Sequence, residues 1–110
     1  MSVRSPFAYG KVTATAGTPV ALTDNFASDA KVLAMPMSYL DIQTLKENTG
    51  NVYIGYADMD TTTLAGVLWI LGPGETKAFG HGQSSMVYAR DLYLDVETTG
   101  EGVLVSGYGY

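Results

Sequence analysis

The sequence predicts an all-β protein, an antiparallel β-sandwich of jelly-roll-like type with an extended N-terminal arm. Short runs of β-branched and aromatic residues alternate with polar ones, as half-buried strands do. Turn signals built on glycine, proline and asparagine divide these runs at intervals of about eight to twelve residues, the spacing of sandwiches and jelly rolls. Thirteen glycines in 110 residues, with only 15% charged residues, point to many turns and away from long solvated helices. The division into units is an arm at residues 1–10 and one sandwich domain at residues 11–110.

The first ten residues contain Pro6 and small polar residues and are expected to stay outside the pairing of the first strand. Val12, Ala14 and Ala16 then alternate with Thr13 and Thr15, and Gly17-Thr18-Pro19 turns the chain into Val20-Ala21-Leu22, a predicted hairpin. Residues 23–29 read as a polar loop in which Phe26 plugs the core, and residues 31–35 as a strand ended by Pro36. Residues 39–45 place Leu40 and Ile42 on one face and Asp41 and Gln43 on the other. A nine-residue helix over 38–46 competes, but it is short for an isolated helix and sits directly before a turn. Asn48-Thr49-Gly50, read as a turn with a left-handed glycine, leads as a hairpin into a strand at residues 51–57.

Residues 58–63 form a polar loop. Val67–Leu71 is apolar on both pleat faces, as expected of a strand covered from both sides or capped by a partner chain, with Trp69 as core anchor. Gly72-Pro73-Gly74-Glu75 is a turn, Thr76–Phe79 a short strand, and residues 80–85 a second loop. Strands at residues 86–89, 91–96 and 102–110 complete the pattern, with Leu92, Leu94 and Val96 facing inward and Thr98-Thr99-Gly100-Glu101-Gly102 turning the chain.

Charge and composition narrow the function. A net charge of −5 with six scattered basic residues opposes binding to nucleic-acid phosphates. Without cysteine the chain has neither disulfides nor thiolate metal ligands. The longest apolar run, residues 64–71, is broken by Gly66 and too short to span a bilayer, so no membrane partner is expected.

No catalytic constellation stands out, and the chain is read as a non-enzyme without cofactors. His81, the single histidine, lies between two glycines, which oppose the rigid orientation a Ser-His-Asp arrangement needs. Asp58 and Asp60, with Thr61 to Thr63, supply oxygens in one loop, yet lack the ligand density and spacing of a calcium site; they are weak metal candidates and no metal is assigned. Asp91, Asp95, Glu97 and Glu101 read as an acidic stripe on a solvent face. The Gly72-Pro73-Gly74 and Gly80-His81-Gly82 segments lack the lysine and following helix of a phosphate loop. Eight tyrosines suit sheets and interfaces alike. Tyr53 and Tyr56 are assigned core or cross-strand roles. Arg4, Phe7 and Tyr9 of the arm, with Tyr93, Tyr108 and Tyr110, are the interface candidates.

The succession Asn48-Thr49-Gly50-Asn51-Val52-Tyr53-Ile54-Gly55, then Leu71-Gly72-Pro73-Gly74-Glu75, then Leu92-Tyr93-Leu94-Asp95-Val96-Glu97-Thr98-Thr99-Gly100-Glu101-Gly102-Val103 resembles small structural proteins of tailed bacteriophage virions, of the capsid decoration (cement) type. The resemblance covers the chain from Tyr39 onward. It implies a jelly-roll or related sandwich on the outer capsid surface, made in the host cytoplasm. Its partners would be the major capsid protein and copies of itself, as homodimer or homotrimer. On this expectation the arm lies on a neighbouring subunit, and deleting residues 1–10 abolishes shell binding while leaving the fold intact. Two other readings stand beside it: a tail, baseplate or head-fibre adaptor, and a carbohydrate-binding β-sandwich using exposed tyrosines.

Overall fold

A computed structural model describes the backbone of residues 5–24, 37–79 and 89–109, and the side chains of 10–24, 40–78 and 90–107. These residues form eight strands and a short 3-10 turn at Ala89–Asp91, with no α-helix among them. The strands are β1 (Ser5–Thr13), β2 (Val20–Ala21), β3 (Met37–Thr44), β4 (Val52–Gly55), β5 (Val67–Leu71), β6 (Thr76–Phe79), β7 (Tyr93–Val96) and β8 (Gly102–Gly109). They make two antiparallel four-stranded sheets, one ordered β1-β8-β3-β6 and the other β2-β7-β4-β5. The protein is all-β and sandwich-like.

Alternation builds the core between the sheets. Val12, Leu40, Ile42, Val103 and Val105 from the first sheet meet Val52, Ile54, Leu71, Leu94 and Val96 from the second in one buried cluster with Ala14, Leu22 and Leu92. The inward faces of β3 and β7 are those the sequence predicts, and residues 38–44 of the stretch where a helix competed are strand.

Two expectations about the chain path are corrected. Residues 5–10, assigned to an unpaired arm, belong to β1, which pairs with β8 from Ser5 opposite Gly109 to Thr13 opposite Gly102. Pro6 is tolerated because β1 is the outermost described strand of its sheet and needs no donor on its open side. The turns read as hairpins are sheet crossings: β1 and β2, and likewise β3 and β4, lie in different sheets. Among the described strands, every sequential pair except β4 and β5 lies in opposite sheets.

Three of the crossings share one turn form. Thr18 N–H donates to Thr15 C=O, Glu75 N–H to Gly72 C=O, and Glu101 N–H to Thr98 C=O, at 2.9, 3.1 and 3.2 Å. In each the third residue is a glycine, Gly17, Gly74 or Gly100, with φ of +87°, +78° and +92°, the conformation this position requires in a type II turn. At the β3–β4 crossing the turn closes earlier, with Asn48 N–H donating to Leu45 C=O. Gly50 there is not left-handed, contrary to expectation. It is required by close approach, since a Cβ would lie 3.0 Å from Glu97 Cβ and 3.1 Å from Thr98 Oγ1.

The expected strand at residues 31–35, that at 86–89 apart from Ala89, Phe26 and His81 lie outside the described residues.

Candidate interaction surface

The hairpin of β4 and β5 carries most of the exposed large apolar side chains among the described residues. Five large apolar side chains are exposed among the described residues: Tyr56 (50%), Leu64 (46%), Ile70 (45%), Leu104 (43%) and Leu68 (38%). All but Leu104 belong to β5, to the loop before it, or to the residue directly after β4. Contiguous exposed apolar surface on a soluble domain marks a site of interaction.

Strand pairing explains which side chains face outward. Val52, Ile54 and Leu71 are buried in the core, and Trp69 packs against it half-buried. Tyr53 and Ile70, opposite each other in the register, therefore stand on the outer face. A bulge, where Gly55 pairs with Val67 but Ile54 with Trp69, leaves Leu68 as the extra residue. Tyr56 follows the end of β4, and its N–H donates to Gly66 C=O at 3.0 Å. Its side chain is on the surface, which corrects the core or cross-strand role expected for it; Tyr53 does take a cross-strand position. The Trp69 ring has the Lys77 ammonium 4.8 Å from its centroid.

The loop between the strands is held by its own hydrogen bonds. Asp60 Oδ1 accepts from Thr62 N–H at 2.8 Å and Thr63 N–H at 3.1 Å. These bonds, Thr63's first, hold the Asp60 carboxyl below its ordinary pKa. Asp60 N–H donates to Ala65 C=O at 2.8 Å, and Leu64 N–H to Asp60 C=O at 2.7 Å. Leu64 sits between these bonds at φ +66°, a left-handed conformation that costs about 1–2 kcal/mol for a side-chain-bearing residue. The loop thus holds an apolar side chain outward in a strained backbone. Asp60, weighed as a cation ligand, serves as the cap of this loop, and Asp58 lies beside Gly66. No group of three or more His, Cys, Asp or Glu residues gathers among the described residues.

β5 is also a sheet edge, with β4 as its one neighbour among the described strands. Glu97 N–H donates to Asn51 C=O, which sets the odd positions of β4 toward β7 and leaves Val52 and Ile54 to bond Leu71 and Trp69. The alternation then points the N–H and C=O of Ile70 at the open side. The edge therefore presents backbone groups beside apolar side chains.

No protein-family model, curated protein or solved structure matches this chain. The surface is therefore read from its own chemistry.

The interface residues expected from the sequence fall on both sheets. Tyr93 is half-buried on β7, opposite Ala21 and Gly55, in the sheet that carries β5. Phe7 and Tyr9 belong to β1 and Tyr108 to β8, with Tyr108 opposite Pro6 and Tyr39. Only their backbone positions are described. Arg4 and Tyr110 lie outside the described residues.

The acidic residues read as a solvent stripe are largely structural. Asp95 is buried, and its Oδ1 accepts from Gly17 N–H at 2.9 Å and Val96 N–H at 2.8 Å. The crossing turn at Gly17 thereby reaches Asp95 on the outer face of β7, whereas Ile70 and Leu68 on the same sheet stay open. Burial first, then the charges of Glu97 and Asp95, raise the pKa of Tyr53. Sequence alternation found the faces but not which would be covered. The signal for the exposed patch was the charge-free run Val67–Leu71, whose edge position no local pattern reveals.

Proposed function

We propose that the protein is a capsid decoration (cement) protein of tailed-bacteriophage type, which binds the outer surface of an assembled head and bridges neighbouring capsid subunits. The observation that carries this reading is the concentration of exposed Tyr56, Leu64, Leu68 and Ile70 on the β4–β5 hairpin, an apolar surface on an acidic chain. Hydrogen bonds within the loop hold its backbone, which lowers the ordering cost of presenting that surface on binding. Many copies on a repeating shell make each contact act together with its neighbours, so modest single contacts suffice.

The strand order β1-β8-β3-β6 and β2-β7-β4-β5 supports taking the sandwich as a jelly roll, an architecture used by capsid domains among others. The partners on this reading are the major capsid protein and further copies of the chain. The aliphatic members of the patch, Leu64, Leu68 and Ile70, favour protein contact over sugar recognition.

Mass spectrometry of purified particles tests the proposal by copy number. Hundreds of copies per particle are expected. A handful of copies would move the protein to a tail, baseplate or fibre position, and absence from the particles would contradict the reading altogether.

A further inference from the structure

We infer that the β3–β4 crossing is held by an acid-released latch: the consecutive backbone N–H groups of Thr49, Gly50 and Asn51 rest on the carboxylates of Glu101 and Glu97, and protonation frees this turn while the two sheets stay paired.

Comparison with the three type II turns carries the inference. Each of those closes on a carbonyl of its own, Thr15, Gly72 or Thr98 C=O, a neutral acceptor that pH does not change. The β3–β4 crossing has such a bond only at Asn48, whose N–H donates to Leu45 C=O. Beyond it, Thr49 N–H and Oγ–H donate to Glu101 Oε2, Gly50 N–H to Glu101 Oε1, and Asn51 N–H to Glu97 Oε1. Hydrogen bonds to an ionised acceptor are roughly twice as strong as neutral ones, so protonation weakens all four. It also takes one acceptor position from Glu101, which already receives three donors. The bond from Gly50, with those from Thr49 and against desolvation, holds the Glu101 carboxyl below its ordinary value of 4.5. The latch is therefore closed above that range and opens as pH falls through the depressed value.

The surrounding charges do not replace it. The crossing itself carries Lys46 and Glu47, both exposed and neither in an ion pair among the described residues. The second sheet brings Tyr53 on β4 and Asp95 on β7, whose Oδ1 is taken by Gly17 and Val96 N–H. The turn after β5 brings Glu75, whose Oε1 accepts from Gly72 N–H. Residues 14–19, between β1 and β2, contain no titratable side chain. Neutral bonds bound the opening. The Asn48 side-chain amide and Leu45 N–H both donate to Gly102 C=O, at 2.9 and 3.3 Å, and Glu97 N–H donates to Asn51 C=O at 3.1 Å.

Proton–nitrogen correlation NMR of the full chain, titrated between about pH 7 and about pH 3, tests the latch. The amide signals of Thr49, Gly50 and Asn51 should shift upfield below the ordinary 4.5 and lose protection from exchange relative to the intrinsic rate, while those of Val103 and Val105 keep their native positions. Glu101→Gln should give Thr49 and Gly50 their acid positions already at neutral pH and leave Asn51 titrating. Glu97→Gln should do the reverse, and Glu75→Gln should alter none of the three. Any of the three amides that holds its shift and protection until Val103 and Val105 lose theirs overturns the latch. So does one that still titrates after its own carboxylate is replaced. The first of these outcomes is read from the wild type, so it stands even where a variant folds poorly.

Discussion

Thr49 gives both its backbone N–H and its hydroxyl to one carboxylate oxygen of Glu101, Oε2, at 2.7 and 2.9 Å. The other oxygen, Oε1, accepts from Gly50 N–H at 3.0 Å. Beside them Glu97 Oε1 accepts from Asn51 N–H at 2.7 Å, and the Asn48 side-chain amide donates to Gly102 C=O at 2.9 Å. Two sheet crossings, β3 to β4 and β7 to β8, are thereby tied through carboxylates and an amide that satisfy backbone groups no strand pairs.

This tie sets a pH dependence. The hydrogen bond from Gly50 N–H, joined by those from Thr49 and opposed by desolvation, holds the Glu101 carboxyl below its ordinary value of 4.5. A carboxyl depressed in the folded state stabilises fully above its unfolded pKa, and that stabilisation is lost as pH falls through the folded value. Asp60 acts in the same direction. Melting temperature should therefore fall on acidification below the ordinary 4.5. Glu101→Gln should lower it at neutral pH and reduce its further fall, read by thermal melts between about pH 7 and about pH 3.

Gly17 and Gly50 should respond to substitution for different reasons. Gly17→Ala meets no atom within 4 Å but forces a Cβ onto φ +87°, at about 1–2 kcal/mol, and Gly17→Asn should cost less because asparagine tolerates this region. Gly50→Ala has no such strain, yet crowds Glu97 Cβ at 3.0 Å, so Gly50→Asn should be worse than Gly50→Ala. Urea unfolding of the four variants checks the opposite orders.

Leu94→Ala should cost about 2–5 kcal/mol, since this side chain is fully buried between the sheets. Ile70→Ser, at an exposed position on the same sheet, should change the stability of the monomer by no more than about 0.5 kcal/mol. Denaturant melts of dilute protein compare the two, and a large loss at Ile70 would place it in the core rather than on the surface.

Deletion of residues 1–10 should not leave the fold intact, because Ser5, Pro6, Phe7, Ala8 and Gly10 pair with β8. Deletion of residues 1–4 stops before β1. The longer truncation should melt lower than the shorter one, each net backbone hydrogen bond contributing about 0.5–1.5 kcal/mol. Equal melting temperatures would detach residues 5–10 from the fold.

Local chemistry made the strands legible and the topology obscure. The alternation of Leu40 with Asp41 and Leu94 with Asp95 identifies inward faces, because a pleated strand repeats every two residues. The turn at Gly17 reads the same whether its strands pair or part, since its hydrogen bond closes within four residues and partner choice is made far away. Asp95 looked solvent-facing because Gly17, which covers it, is 78 positions distant in sequence. Val67–Leu71 looked fit for a covered strand, and only the sheet order shows it to be an edge. The exposure of Tyr56 follows from the bulge and turn at Gly55 and Gly66, which no periodicity announces.

Hydrogen–deuterium exchange of the protein free in dilute solution and bound to its particle tests the assembly surface most directly. Slowed exchange at Tyr56, Leu64 and the β5 backbone is the predicted result. Protection confined to the outer face around Leu104, with β5 exchanging as it does in the free chain, would contradict it.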